Sequence, residues 1–130
     1  MMQGFETKIR VRYEETDKMG IVYHANYFHW FEVARIQLLD EIGMPYKSLE
    51  QKGFFLPVLG CDATFKKPAH FDDRLTVLAD ASFQSLLRLK IKYQVFRGPE
   101  KLASGSTTHA FVDDQGKVVR PPESFAQFIQ

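Results

Sequence analysis

The longest helical pattern in the chain is Asn26-Tyr-Phe-His-Trp-Phe-Glu-Val-Ala-Arg-Ile-Gln-Leu-Leu-Asp-Glu-Ile42. Apolar residues recur in it at offsets of three and four, which places them on one face of a helix. This face consists of Tyr27, Phe31, Ala34, Leu38 and Ile42. More apolar residues widen the face and leave only a narrow polar stripe: Phe28, Trp30, Val33, Ile36 and Leu39. The pattern therefore predicts a central, buried helix, which Gly43 and the following Met44-Pro45 terminate.

Alternating apolar and polar residues predict strands on both sides of this helix. One strand is expected before it and four after it, at 5–13, 54–67, 74–85, 87–95 and 102–112. A short second helix is expected at 46–52, and an amphipathic tail at 125–129. The later strands are joined by short turns, which imply antiparallel neighbours. Because only the apolar helix can cover such a sheet, the sequence predicts a single α+β domain over residues 1–130, with a long central helix wrapped by a five-stranded antiparallel sheet.

The composition narrows the class of protein. Of the 130 residues, 45% are apolar and 25% are charged, as in ordinary globular domains, and the net charge of +1 argues against nucleic-acid binding. No apolar run can span a bilayer and the first residues lack a signal-peptide core, so a cytoplasmic protein is expected. The 12 Phe and 5 Tyr suggest a thick core, a self-association surface or an apolar ligand pocket. The single cysteine, Cys61, lies in an apolar run and is expected to be buried and unreactive.

Residues 13–27 bring together the parts for acyl-transfer chemistry, in the order Tyr-Glu-Glu-Thr-Asp-Lys-Met-Gly-Ile-Val-Tyr-His-Ala-Asn-Tyr. Asp17 supplies a carboxylate, His24 an imidazole, and Gly20 a residue that tolerates a positive φ or close backbone approach. Asn26 is the expected N-cap of the helix, where backbone amides carry partial positive charge. A carboxylate beside such amides can support attack on a carbonyl carbon and stabilise the resulting oxyanion. Asp17 also has a blander interpretation, as a solvated turn residue.

This segment, continued by Phe31-Glu-Val-Ala-Arg35, resembles the signature of the hotdog-fold acyl-CoA thioesterases. It is most similar to the branch that contains 4-hydroxybenzoyl-CoA thioesterase and the YbgC-like proteins. The later segment Phe65-Lys-Lys-Pro-Ala-His-Phe-Asp72-Asp, the chain length and the element order extend the resemblance over essentially the whole chain. The resemblance implies a hotdog fold and homodimers joined edge to edge by their sheets. It also implies assembly of these dimers into homotetramers, with active sites at the subunit interface.

The resemblance also assigns roles to single residues. Asp17 matches the family's aspartate, which acts as nucleophile or as general base on water. Tyr13 and His24 match a tyrosine and a histidine of the YbgC-like pattern. Read from the residues alone, His24 could instead orient the loop, and Tyr13 could be the last core-facing residue of its strand. Glu14 and Glu15 are expected to be solvated.

Other residues are candidates for binding the substrate. Backbone amides around Val22 to Asn26, chiefly those of Val22, Tyr23 and Asn26, are expected donors to the oxyanion, with Gly20 at the bend. Four cationic side chains are candidates to hold the phosphates of coenzyme A: Lys66, Lys67, Arg88 and Lys90. His24 and His29 are five positions apart, on different helix faces, so no metal pair is expected. The chemistry requires no metal and no organic cofactor.

The predicted activity is hydrolysis of an acyl- or aroyl-CoA to the free acid and coenzyme A. Two alternatives stay open from the sequence. The first is the same reaction on an acyl group borne by an acyl carrier protein, and the second is a non-catalytic domain that binds an acyl ligand. The combination of Asp17, Gly20 and His24 argues against the binding domain, because a binder has no need of an ionised carboxylate beside an apolar pocket.

Overall fold

A computed structural model of the chain describes residues 2–128. Ile129, part of the amphipathic tail predicted from the sequence, lies outside the described residues. The strands are β1 (Met2–Arg10), β2 (Val58–Phe65), β3 (Arg74–Phe83), β4 (Leu89–Arg97) and β5 (Glu100–His109). The helices are α1 (Asn26–Glu41) and α2 (Tyr46–Gln51), with short 3-10 turns at Tyr13–Glu15 and Glu123–Phe128.

The five strands form one antiparallel sheet in the order β1-β3-β4-β5-β2. Short turns join β3 to β4 and β4 to β5, as the turn signals in the sequence predicted. The segment that contains α1 and α2 runs between β1 and β2, which lie at opposite edges of the sheet. The predicted architecture of a long helix against a five-stranded antiparallel sheet is therefore confirmed.

The core lies between α1 and the inner face of the sheet. Alternate residues of β3 and β4 are buried, and the ring of Phe31 stacks on that of Tyr93 with centroids 4.3 Å apart and planes at 5°. Phe31 fits because β5 has Gly105 beneath it, where an added Cβ would lie 2.6 Å from the Phe31 ring. The buried apolar residues of α1 belong to the predicted face: Tyr27, Trp30, Phe31, Ala34, Leu38 and Leu39. The predicted face was too wide, because Val33 and Ile36 are exposed.

Local boundaries differ from the sequence prediction near the site. Strand β1 ends at Arg10, and Tyr13 begins a 3-10 turn with 77% of its surface exposed, so the core-facing interpretation of Tyr13 is wrong. Helix α1 begins at Asn26, and Ala25 occupies the N-cap position that was predicted for Asn26. The Asn26 side chain instead donates to the backbone oxygen of Glu15 at 2.9 Å.

The prediction that Cys61 is buried is also wrong. Cys61 lies on β2, an edge strand in which every residue but Ala63 is exposed. The apolar run that suggested burial includes Val58 and Leu59, which are exposed as well. Apolar composition predicts an environment only if another layer covers the strand, and β2 has one free edge in this chain. Within residues 2–128, no helix is both long and apolar enough to cross a membrane.

Candidate active site

A tight turn presents Asp17 between two short paired segments. Thr16 pairs with Val22, and the Asp17 N–H donates to the Ile21 oxygen at 2.9 Å. The Gly20 N–H donates to the Asp17 oxygen at 2.9 Å and closes the turn. Gly20 has a φ of 80°, in the left-handed region that glycine enters without a steric penalty. The glycine therefore lets the chain reverse directly after the carboxylate.

The Asp17 carboxylate is half-buried and held by one oxygen. Its Oδ1 accepts from the Met19 N–H at 2.8 Å, an Asx turn of the kind that the sequence also allowed. Among residues 2–128, no hydrogen-bond donor contacts the other oxygen, Oδ2. The Asx turn thus orients the carboxylate and leaves Oδ2 free to contact a ligand.

A pocket of about 350 Å³ opens beside this carboxylate. Its walls are mainly apolar, and the rings of Tyr27 and Phe65 meet edge to face with centroids 4.9 Å apart. Burial raises the pKa of Tyr27, although the positive charge of Arg97 opposes the shift, so the phenol stays neutral. The pocket is lined by Asp17, Ile21, Val22, His24, Tyr27, Phe65, Lys66, Lys67 and Pro68.

The backbone amides at the start of α1 are only partly available to a ligand. The N–H groups of Val22, Tyr23 and Asn26 donate to backbone oxygens of Ala69, Glu15 and Tyr23, at 2.9, 2.9 and 3.0 Å. These three groups, which the sequence nominated as oxyanion donors, are therefore already satisfied.

The N–H groups of His24 and Ala25 have no acceptor within the described part of the chain. Both precede the first residue of α1, where the positive end of the helix dipole lies. Two amides at the helix start are therefore free to bind an oxyanion, fewer than the sequence suggested.

A network of charges contacts two lining residues of the pocket, Lys67 and Pro68. Arg97, at the end of β4, donates to Asp73 and to Glu100 at 2.7 Å each, and to the Pro68 oxygen at 3.3 Å. Glu100 also accepts from Lys67 at 2.7 Å. The lysine at position 67 is therefore partly neutralised, although it lines the pocket.

The four cationic candidates fall into two groups. Lys66 and Lys67 line the pocket, whereas Arg88 lies in the turn before β4 and Lys90 on β4. Lys90 pairs with Thr108 on β5, while the Lys66 N–H contacts Leu102 at the other end of that strand. Six residues of strand separate the two points, or roughly 20 Å. Arg88 and Lys90 are therefore not brought to this pocket within one chain.

Of the other two predicted catalytic residues, His24 and Tyr13, only one lies at the pocket. His24 lines the pocket, with its ring against Tyr23 at 4.4 Å between centroids. Tyr13 does not line the pocket, and its ring meets Phe71 edge to face at 5.5 Å. The structure therefore brings together Asp17 and His24, and leaves Tyr13 on the outer side of the loop.

Sequence reasoning missed four of the pocket residues, Ile21, Tyr27, Phe65 and Pro68, and misjudged the burial of Glu15 nearby. Tyr27 and Phe65 read as core residues of a helix and a strand, and nothing in their spacing indicated that they border a cavity. Glu15 was expected to be solvated but is 4% exposed. Its only sequence signal is indirect, since a buried Trp30 needs an acceptor for its indole N–H. Among residues 2–128, no cluster of three or more His, Cys, Asp or Glu side chains could hold a metal ion.

Comparison with known proteins gives the family. Residues 11–129 match the thioesterase-like superfamily. YneP of Bacillus subtilis, named as a candidate acyl-CoA thioesterase, is 36% identical over 115 residues, which cover 88% of this chain and 83% of YneP. The acyl-CoA thioesterase YbgC of Haemophilus influenzae is 32% identical over 113 residues, which cover 85% of this chain and 82% of YbgC.

The structural comparison agrees with the sequence comparison. The crystal structure of a hypothetical protein from Aquifex aeolicus matches this fold with a TM-score of 0.91 at 32% identity, over 97% of this chain and 99% of that one. This likeness confirms the predicted hotdog fold. Since the family match spans nearly the whole chain and the relatives are aligned over most of their own length, we conclude that the chain belongs to the thioesterase-like superfamily.

Proposed function

We propose that this chain is an acyl-CoA thioesterase that hydrolyses an acyl- or aroyl-CoA to the free acid and coenzyme A, with Asp17 as nucleophile or general base. The observation that carries the proposal is the meeting of three features at one pocket. These are a carboxylate with a free oxygen, an apolar wall, and the lining residue His24, whose N–H at the helix start is free. The names of YneP and YbgC support the same substrate class.

The Asp17 carboxylate has two routes to the same products. As a nucleophile, its oxygen adds to the thioester carbon and expels the CoA thiolate, and water then hydrolyses the mixed anhydride. As a general base, it takes a proton from water, whose oxygen adds to the same carbon before the thiolate leaves. Both routes need the carboxylate in a fixed orientation, which the hydrogen bond from the Met19 N–H in the Asx turn provides.

Both routes also pass through an oxyanion, which needs hydrogen-bond donors. The N–H groups of His24 and Ala25 are the free donors at the start of α1, and we assign the oxyanion to them. The His24 side chain then has a secondary task, lining the pocket and holding its own backbone in place against Tyr23. Tyr13 has no direct role in this scheme unless a second subunit brings the substrate to it.

Lys66 is the best placed cation for the phosphates of coenzyme A. It lines the pocket, and among residues 2–128 no carboxylate pairs with it, whereas Lys67 is paired with Glu100. A phosphate would therefore meet an uncompensated charge at Lys66 and a compensated one at Lys67.

We further propose that the chain forms homodimers through β2 and that the dimers assemble into homotetramers. The support for the dimer is the free edge of β2 together with its exposed apolar residues Val58 and Leu59. An exposed apolar edge strand is normally paired or covered. Size-exclusion chromatography with light scattering tests this assembly, because a monomer at micromolar concentration would contradict it.

The experiment for the activity is thiol release from a panel of acetyl-, hexanoyl-, lauroyl-, benzoyl- and phenylacetyl-CoA. It should be run in a Cys61→Ala background, because an exposed thiol would itself react with a disulfide reagent. Asp17→Asn and Asp17→Ala should each lower kcat by about 100-fold or more with folding intact. Full activity in either variant would contradict the role of Asp17. Absence of turnover on the whole panel would redirect the test to acyl groups on a carrier protein.

A further inference from the structure

Glu15 is a buried carboxylate that the mechanism above does not use. It is 4% exposed, although its neighbour Glu14 is exposed and pairs with Arg12 at the surface. A charged group this deep is stable only where protein donors replace the water that it loses. The hydrogen-bond donors around Glu15 therefore indicate the role of this residue.

Both oxygens of the Glu15 carboxylate accept hydrogen bonds from different elements. Oε1 accepts from the Arg12 N–H at 2.8 Å, and Oε2 accepts from the indole Nε1–H of Trp30 at 2.9 Å. The Arg12 guanidinium lies 3.5 Å from Oε2. The carboxylate thus connects the chain just after β1 to the second turn of α1.

The backbone oxygen of Glu15 makes further contacts at the start of the same helix and just before it. It accepts from the Tyr23 N–H and from the Asn26 side-chain amide, both at 2.9 Å. These two donors flank His24 and Ala25, the residues with the free N–H groups. Asp17 is two positions beyond Glu15, on the turn that begins at Thr16. Glu15 therefore connects the turn that carries Asp17 to the residues whose N–H groups are free.

We propose that Glu15 is a positioning residue, whose carboxylate, held by Arg12 and Trp30, sets the Asp17 turn relative to the free amides at the start of α1. The inference rests on the proposed function, because it concerns the geometry of the same reaction. Glu15 does not line the pocket, so its loss should affect the chemical step and not substrate binding. Misplacement of a reacting group by about 1 Å can cost about 100-fold in rate.

The first variant is Glu15→Gln, which keeps the shape of the side chain but has one acceptor oxygen instead of two. Its amide NH₂ must face either the Arg12 N–H or the Trp30 indole N–H, where donor would oppose donor. We expect kcat to fall by about tenfold or more while KM stays within about twofold. The matched control is Glu14→Gln, which removes the adjacent exposed carboxylate and should leave both constants unchanged.

A second variant tests whether the contact with Trp30 carries the effect. Trp30→Phe removes the indole donor, so the double variant Glu15→Gln/Trp30→Phe no longer has opposed donors at this contact. We expect its kcat to be about threefold or more above that of Glu15→Gln alone. If the two losses simply multiply, or if Glu15→Gln keeps kcat within about twofold of wild type, the proposal is overturned.

A third measurement needs no activity. Trp30 is the single tryptophan, so one indole N–H signal appears in a ¹H–¹⁵N spectrum. That signal should exchange slowly with water in wild type and Glu14→Gln, and should move in Glu15→Gln. If Glu15→Gln does not fold, Trp30→Phe alone should still lower kcat without changing KM, and an unchanged kcat would overturn the proposal. Failure of the proposed function has a different signature, namely an Asp17→Asn variant that keeps its turnover.

Discussion

Acid should destabilise this protein through His109, which is fully buried at the end of β5. Its Nδ1 lies 3.1 Å from the Pro57 oxygen and its Nε2 lies 2.8 Å from the Thr107 hydroxyl, which in turn contacts the Tyr93 hydroxyl at 2.7 Å. Burial lowers the pKa of His109 to about 4, and the positive charge of Arg35 adds to this. The imidazole is therefore neutral, with Nδ1–H donating to Pro57 and Nε2 accepting from Thr107.

The size of the effect follows from the two pKa values. An unfolded histidine titrates near 6.5, above the folded value of about 4, so below pH 6.5 the unfolded state binds more protons. Stability from His109 is present above pH 6.5 and is lost as the pH falls towards 4. Between pH 8 and pH 4.5 the loss is about 2.5 kcal/mol, with a slope that approaches about 1.4 kcal/mol per pH unit.

The assay is urea unfolding from pH 8 to pH 4.5 at one fixed protomer concentration, because oligomers make stability concentration-dependent. His109→Gln is the comparison, since it keeps a polar side chain but does not titrate. The unfolding free energy of wild type should fall about 2.5 kcal/mol further than that of the variant over this range. Asp72 and Glu100, whose pKa values are lowered by Arg10 and Lys67, contribute equally to both proteins. Parallel curves for the two proteins would refute the reasoning.

Two further predictions concern packing and substrate binding. Gly105→Ala should destabilise the fold by about 1–3 kcal/mol, because the new Cβ would overlap both the Asp62 backbone oxygen on β2 and the Phe31 ring, and urea unfolding at pH 8 measures this. A stability equal to wild type would mean that β2 and Phe31 can both shift at no cost. Lys66→Ala should raise KM for an acyl-CoA by about tenfold with little change in kcat, since it removes the unpaired cation at the pocket. Lys47→Ala, on the exposed side of α2, is the control, and an equal KM in both variants would exclude Lys66 from phosphate binding.

The sequence was most informative where periodicity is strong. The apolar face of α1 and the alternation in β3 and β4 predicted the helix and the strands, because burial on one side imposes a regular spacing on any amphipathic element. The short turns between the later strands predicted their antiparallel pairing. The resemblance of the residues around Asp17 to a known signature predicted a thioester hydrolase, and the family match confirms that class. The residue roles within the site stay predictions.

The tertiary structure decided what no spacing encodes. The run around Cys61 has the composition of a buried strand, and its exposure follows from the position of β2 at the sheet edge. Glu15 and Glu14 are the same residue type side by side, yet one is buried because Trp30 and Arg12 supply donors from other elements. The sequence predicted that the backbone amides at the helix start are free to bind an oxyanion, but hydrogen bonds to other parts of the chain occupy some of them. Local patterns thus determined the elements of this protein, whereas burial, pairing and free donors depend on contacts between residues far apart in the chain.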